Sequence, residues 1–198
     1  MAAPLDSSSA QLRPLLDAIA AETPAPGGGS VAAFVTEMSA ALAAMAARFS
    51  REQWDGASGA VAQAEALRKR AAPLAQEDAD AYEAVLTTMR MPTESVEAEI
   101  RNALIGETLS RAADVPLRIA ETATDVAELG ASIAEEGNPN LRGDAAAAAL
   151  LAEAAARVAA NLVEINLATT TDDERIGRAR ELAAAATAAA KRATAADP

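Results

Sequence analysis

The chain contains neither cysteine nor histidine. Without cysteine it has no disulfide and no thiol nucleophile. Without histidine it has no imidazole acid or base, no histidine-dependent triad and no histidine metal ligand. Aromatic residues make up only 2%, with one Trp and one Tyr. Strands draw on aromatic and β-branched residues, whereas Ala, Leu, Glu and Arg lead the helix scale, so the composition predicts an all-α fold. Positive charge is also short: 17 Lys and Arg stand against 29 Asp and Glu, a formal net charge of −12. So acidic a chain lacks the clustered cations that nucleic acid or an anionic membrane surface attracts. No basic stretch followed by an apolar run opens the sequence, so no signal peptide is expected. The longest apolar runs are broken by Glu37, or by Glu153 and Arg157, short of the ~20 residues of a membrane span. These absences predict a cytoplasmic protein with no membrane and no nucleic-acid partner. Any catalysis must come from carboxylates, hydroxyls, amides, Lys, Arg and backbone dipoles, with no metal.

Of the 198 residues 51% are hydrophobic, most of them alanine. Alanine buries little apolar area per residue. Helices rich in it must approach closely, and pairing with a second copy would bury more. A homo-oligomer is expected, most simply a two-fold dimer. No linker or internal repeat divides the sequence, which predicts a single domain over 1–198, a bundle of long Ala-rich antiparallel helices with residues 1–9 frayed.

The most distinctive stretch is Pro24-Ala25-Pro26-Gly27-Gly28-Gly29-Ser30. Two prolines block a helix and three glycines allow close backbone approach. Ser30 is placed to cap a helix from about 30 to 50. The unpaired N–H groups there can hold an anion or polarise a carbonyl, or the turn can simply let two helices pack closely. Within that helix Val31, Phe34, Val35, Met38, Leu42, Met45 and Phe49 recur at helical spacing, and its apolar character predicts a central position. Before it, Leu12, Leu15, Leu16 and Ile19 mark a helix over 11–21. After it, Arg51–Gly59 is a polar break holding Trp54, which either packs over a helix end or walls a pocket. Residues 60–89 read as helical, divided or kinked at Pro73. There Glu77, Asp78 and Asp80 form either a solvated acidic face or a site, and Asp78 shares a face with Tyr82. Thr93 can cap a helix reaching about 113, and Asp114-Val115-Pro116 interrupts before another segment to about 134. Gly137-Asn138-Pro139-Asn140-Leu141-Arg142-Gly143-Asp144 is a second punctuated loop, with Asn140 a candidate cap. It opens into an apolar helix over 145–168, with Leu151, Val158, Leu162 and Ile165 on one side. Asn161 and Asn166 in that helix need hydrogen-bond partners or a ligand. A last helix follows over about 172–194, capped from 169–173.

In order, Thr23–Ala33, Glu77–Tyr82, Val115-Pro116-Leu117, Gly137–Asp144 and Glu164-Ile165-Asn166-Leu167 resemble the cyclodeaminase/cyclohydrolase family across nearly the whole chain. That resemblance implies an all-helical homodimer acting on a reduced folate, at the one-carbon bridge between N5 and N10 of tetrahydrofolate. The reaction implied is methenyltetrahydrofolate cyclohydrolysis, or alternatively formiminotetrahydrofolate cyclodeamination. A helical folate binder without turnover is a further alternative, since Ser50-Arg51-Glu52-Gln53-Trp54 stands where family members often carry a Gly-Lys-Lys-Tyr-like stretch. No cofactor is implied beyond the folate itself. The residues it points to as catalytic are Asp78 and Asp144. Those pointed to as substrate-binding are Pro26, Gly27, Gly28, Gly29, Ser30, Tyr82, Asn140, Arg142 and Asn166. Near pH 7 one of the two aspartates would need a raised pKa, from burial or mutual repulsion. Arg48, Arg51 or Arg142 is expected at the glutamate tail.

Overall fold

The computed structural model describes residues 12–91, 98–170 and 172–195. Their secondary structure is helical, without strands: α1 (Arg13–Ala20), α2 (Gly28–Arg48), α3 (Ala57–Ala71), α4 (Leu74–Met89), α5 (Ala98–Ala112), α6 (Asp114–Glu136), α7 (Arg142–Asn166) and α8 (Glu174–Ala195), with a 3₁₀ turn at Pro139–Leu141. Pro73 divides the long helical region as expected, and Pro116 sits in the first turn of α6, where its missing N–H costs nothing. The frayed N-terminus and the Thr93 cap fall outside the described residues.

Two local expectations are corrected. Helix α2 begins at Gly28 with Gly27 at the N-cap, and no side chain in its own loop caps it. Ser30 is therefore inside the helix, and its hydroxyl is used elsewhere. In the second loop the cap is Asn138, not Asn140: Asn138 Oδ1 accepts the Asn140 N–H at 3.0 Å. The short Asn138 side chain reaches the backbone two residues ahead, an Asx turn in which Asn140 is the residue capped.

The core is built from small side chains. Buried residues of α2 are only Gly, Ala, Ser and Thr, and those of α7 are eight alanines and Val163. The bulk comes from α6, whose Ile119, Val126, Leu129 and Ile133 are buried. Helix α6 packs against α2, α3, α4, α5, α7 and α8. Helix α2 is central as expected, packing against α3, α4, α6 and α7, and α6 shares the centre with it. On the other faces, Met38 of α2, Phe49 just past its end, and Leu150, Leu151, Val158 and Ile165 of α7 are exposed, while Phe34, Val35 and Leu42 of α2 pack partly buried against the core. The reason is distance. Alanine and glycine at a seam let backbones come together more closely than Leu or Met would allow. At Gly130 the fit is tight enough that a Cβ would lie 3.0 Å from the Ala149 backbone nitrogen and 3.1 Å from the Ala145 carbonyl.

By length and hydropathy, Gly28–Arg48 and Pro139–Asn166 could each cross a membrane, contrary to the sequence reading, yet 56% and 44% of those windows are buried in the bundle. The structure uses them as core helices with one apolar face left outward. Helix α1 buries nothing, and Leu12 and Leu16 remain exposed.

Antiparallel packing sets different loops at the two ends of the bundle. The start of α2 and the end of α7 lie at one. At the other, Asn138 donates to Ser50 Oγ (2.8 Å) and to the Phe49 carbonyl (3.0 Å), tying the second loop to the end of α2. Gly137 is required there, because a Cβ would sit 2.7 Å from Ser50 Oγ.

Gly130→Val should force α6 from α7 and cost about 1–3 kcal/mol, as overpacked cores do. Urea unfolding of the variant beside wild type measures it; equal midpoints would show that the α6–α7 seam has slack.

Candidate active site

The three glycines do more than turn the chain. A Cβ on Gly29 would lie 2.0 Å from Asp78 Oδ1 and 2.5 Å from its Cγ. The bare first turn of α2 therefore holds the Asp78 carboxylate from α4 against it. Ser30 Oγ donates to Asp78 Oδ2 at 3.0 Å, and the Ser30 N–H donates to the same carboxyl. Asp78 thus caps α2 from a neighbouring helix, meeting its positive dipole end. Burial nevertheless wins: it pushes the Asp78 pKa above the ordinary carboxylate value, and the two Ser30 hydrogen bonds only partly oppose it. The rest of the acidic cluster is a solvated face, as one reading of the sequence had it. Glu77 pairs with Arg118, and Asp80 accepts from Gln76.

Ser30 has a second acceptor, the Ala75 carbonyl, also at 3.0 Å. A hydroxyl has one proton and two lone pairs. With Asp78 ionised, that proton goes to the carboxylate. With Asp78 protonated, the acid can donate to Ser30 Oγ while Ser30 donates to Ala75. Both protonation states are satisfied without rearrangement.

Beside this pair is a cleft of about 410 Å³, lined by Gly27, Gly28 and Gly29, by Asp78, Tyr82, Val85 and Met89 along one face of α4, by Leu109 and Ala112 of α5, Pro116 of α6, and Leu162, Ile165 and Asn166 of α7. A small-molecule ligand fits that size, and largely apolar walls with a few polar groups suit one. Asp78 is the only charged residue among them. Asn166 Nδ2 donates to the Ala112 carbonyl at 3.2 Å, so this amide has a structural partner and still lines the cleft. Pro26 and Ser30 line a more open groove on the neighbouring side. The Ala25–Pro26 peptide is cis.

Asp78, Tyr82, Asn166 and the glycine turn therefore come together. Asp144, Arg142 and Asn140 do not join them within one chain. Asp144 lies in the first turn of α7 and Asn166 at its last residue, about 33 Å apart at 1.5 Å per residue. The rise of a straight helix separates the two aspartates, so burial and not mutual repulsion raises the Asp78 pKa. Arg142 donates to the Ala134 carbonyl at the far end, and Arg48 pairs there with Glu65. Arg51 follows the end of α2 at that same end. None of the three arginines reaches the cleft of its own chain. Trp54 takes both roles offered for it. Its ring covers Gly56, its indole N–H donates to Glu136 at 3.1 Å, and it lines a second recess with Glu128 and Ser132.

Sequence reading missed the apolar walls. Val85 and Met89 follow from Asp78 and Tyr82 by helical spacing alone. Leu109, Ala112 and Leu162 carry no such signal, because only packing brings α5 and α7 to α4.

The sequence profile of the formiminotransferase-cyclodeaminase family matches residues 11–188. A methenyltetrahydrofolate cyclohydrolase of Methylorubrum extorquens is 34% identical over 158 residues, covering 76% of each chain. The formimidoyltransferase-cyclodeaminase of Rattus norvegicus is 33% identical over 83% of this chain, which spans 32% of that protein. The crystal structure of a formiminotetrahydrofolate cyclodeaminase from Thermotoga maritima superposes with a TM-score of 0.81 at 30% identity, over 92% of this chain and 93% of that one.

Because Asp78 holds its proton more tightly when folded, its contribution makes stability fall as pH rises from the ordinary carboxylate value through its raised one. Asp78→Asn removes that slope. The variant should equal or exceed wild type in stability at pH 7 and converge with it below the ordinary carboxylate range. Thermal melts across pH test this; a variant clearly less stable at pH 7 would show that dipole capping outweighs burial.

Proposed function

The chain belongs to the formiminotransferase-cyclodeaminase family, and on that premise we propose that it is a folate one-carbon enzyme, a methenyltetrahydrofolate cyclohydrolase, with Asp78 handling the proton. The observation that carries this reading is the Asp78–Ser30 pair at the mouth of a ligand-sized cleft, satisfied in either protonation state. The substrate carries a delocalised amidinium cation between N5 and N10. An ionised Asp78 attracts that cation and takes a proton as water adds to the bridging carbon. The tetrahedral adduct collapses by breaking one C–N bond: Asp78 returns its proton to the departing nitrogen, and the adduct hydroxyl gives its own proton to solvent as the C=O forms. The carbon stays as a formyl group on the other nitrogen. A raised pKa suits both halves of this cycle, since a strong acid would hold no proton to return. The N–H groups of Gly28 and Gly29 begin α2 without helical partners, so they are available to a polar edge of the pterin or to the adduct oxygen.

The cyclohydrolase reading is supported by the relative matched over three quarters of both lengths, which bears that name. Cyclodeamination is the second reading, favoured by the name of the structural neighbour. It uses the same parts in another order: N10 attacks the formimino carbon, and ammonia leaves after taking the proton. The homodimer belongs to the same proposal, supported by the large apolar residues that α2 and α7 leave uncovered. So do a cytoplasmic location and a reaction that needs no cofactor besides the folate.

Purified protein should accelerate the loss of methenyltetrahydrofolate absorbance, and Asp78→Asn should lower kcat by about 10²–10⁴-fold, the usual worth of a general acid–base group. An unchanged rate in that variant would remove Asp78 from the chemistry. Gly29→Ala, which pushes the carboxylate off the helix end, should lose activity comparably while keeping its helical circular dichroism. Ammonia release from formiminotetrahydrofolate, followed in parallel, decides between the two reactions.

A further inference from the structure

Arg175, in the first turn of α8, lines no part of the cleft, yet its whole hydrogen-bonding capacity is committed to the corner that walls it. A guanidinium carries five N–H donors in a rigid plane. Here all five are used. Nε and Nη2 donate to the two oxygens of Asp173, at 3.0 and 2.7 Å. Nη2 also donates to Ser110 Oγ at 2.7 Å, and Nη1 to the Ser110 carbonyl at 2.8 Å. The other Nη1 proton goes to Asp114 Oδ1 at 2.6 Å. Asp173 is fixed in turn, since its Oδ1 also accepts the Arg175 backbone N–H at 3.0 Å. Arg175 and Asp173 are only 20% and 14% exposed, so water and salt screen this pair less than an ordinary surface pair. The hydrogen bond from Arg175 holds the Asp173 pKa down to about 2, so the fork stays charged near neutral pH.

The corner is where α5 turns into α6. Ser110 lies in the last turn of α5, and Asp114 is the first residue of α6. Three residues of the cleft wall stand beside these two: Leu109 just before Ser110, Ala112 between them, and Pro116 just beyond Asp114. Helix α5 buries only Ala112, so apolar packing gives it little hold. Polar ties supply the rest. Near its start Arg101 donates to the Met89 carbonyl at 2.7 Å. At its end Asn166 reaches the Ala112 carbonyl, and Arg175 adds the fork. We propose that Arg175 is a positioning residue for the cleft, fixing from outside the α5–α6 wall against which the ligand packs. The inference rests on the folate reading for its ligand. Asp78, Ser30 and the glycine turn belong to α4 and α2 and take no part in this fork. Loosening the wall therefore weakens the hold on substrate and transition state alike, which raises KM and leaves kcat.

The test reads KM and kcat separately. Arg175→Met keeps most of the stem and removes the fork. With methenyltetrahydrofolate its KM should rise about 10-fold, the lower end of what a lost apolar pocket contact is worth, with kcat retained. Arg175→Lys restores the charge but offers three donors from a single point, so it should recover only part of the loss. Arg178→Met, at an exposed arginine of the same helix, is the control and should match wild type. Should Arg175→Met fail to fold with two carboxylates left unpaired, Ser110→Ala removes one acceptor of the fork, favours a helix, and should raise KM by less. Hydrogen exchange read by mass spectrometry should be faster in either variant over α5 and the first turn of α6 alone, and slower again with 5-formyltetrahydrofolate. A variant that melts earlier but keeps the wild-type KM overturns the inference, as does one that loses kcat at an unchanged KM. Wild type that neither turns over nor binds a folate sinks the folate reading by itself, and exchange then decides: a change confined to that corner sustains the positioning role, and unchanged or bundle-wide exchange overturns it.

Discussion

Helices that meet through alanine and glycine can come together until their backbones nearly touch, and this closeness governs the rest of the molecule. At the α6–α7 seam a Cβ on Gly130 would press on the α7 backbone at 3.0 Å. A seam that tight has no place for Met, Phe or Leu, so Met38 of α2 and Leu150, Leu151, Val158 and Ile165 of α7 lie outward, while Phe34, Val35 and Leu42 pack at the margin of the core. The stability of these helices in a single chain is spread over many small contacts, each of little area. The uncovered face is the natural place to gain more.

The same economy of side chains builds the site. Gly29 has no Cβ, and the space it leaves is occupied by the carboxylate of Asp78. A helix end that its own loop leaves uncapped is capped by another helix, through a group that burial has made reluctant to ionise. These two tendencies oppose each other at one carboxyl, and the pKa is raised because desolvation exceeds what two hydrogen bonds return. A purely structural cap would gain from being fully charged. This one keeps a proton within reach, with Ser30 able to serve either state.

Much of this could be read in the sequence. Scarce aromatics and abundant alanine gave the helical class, Pro73 gave the break between α3 and α4, and the Pro-Gly-Gly-Gly-Ser turn marked a bare helix end that the family resemblance made a candidate site. Asp78 and Tyr82 followed from helical spacing. What the sequence left open on α2 and α7 is which face the core takes, because both faces are apolar and the buried one is built of the smaller residues. Periodicity locates a stripe; it does not say which neighbour covers it.

The sequence by itself determined the elements, the turn that bares a helix end, and the carboxylates available for proton transfer, since these depend on local backbone preference and composition. Only the tertiary structure decided which carboxylate meets that helix end. Asp78 does so because α4 folds back along the start of α2, while the length of α7 carries Asp144 to the other end of the same chain. Local chemistry fixes what each residue can do, but the rigid rise of a helix and the direction of its packing fix what it can reach.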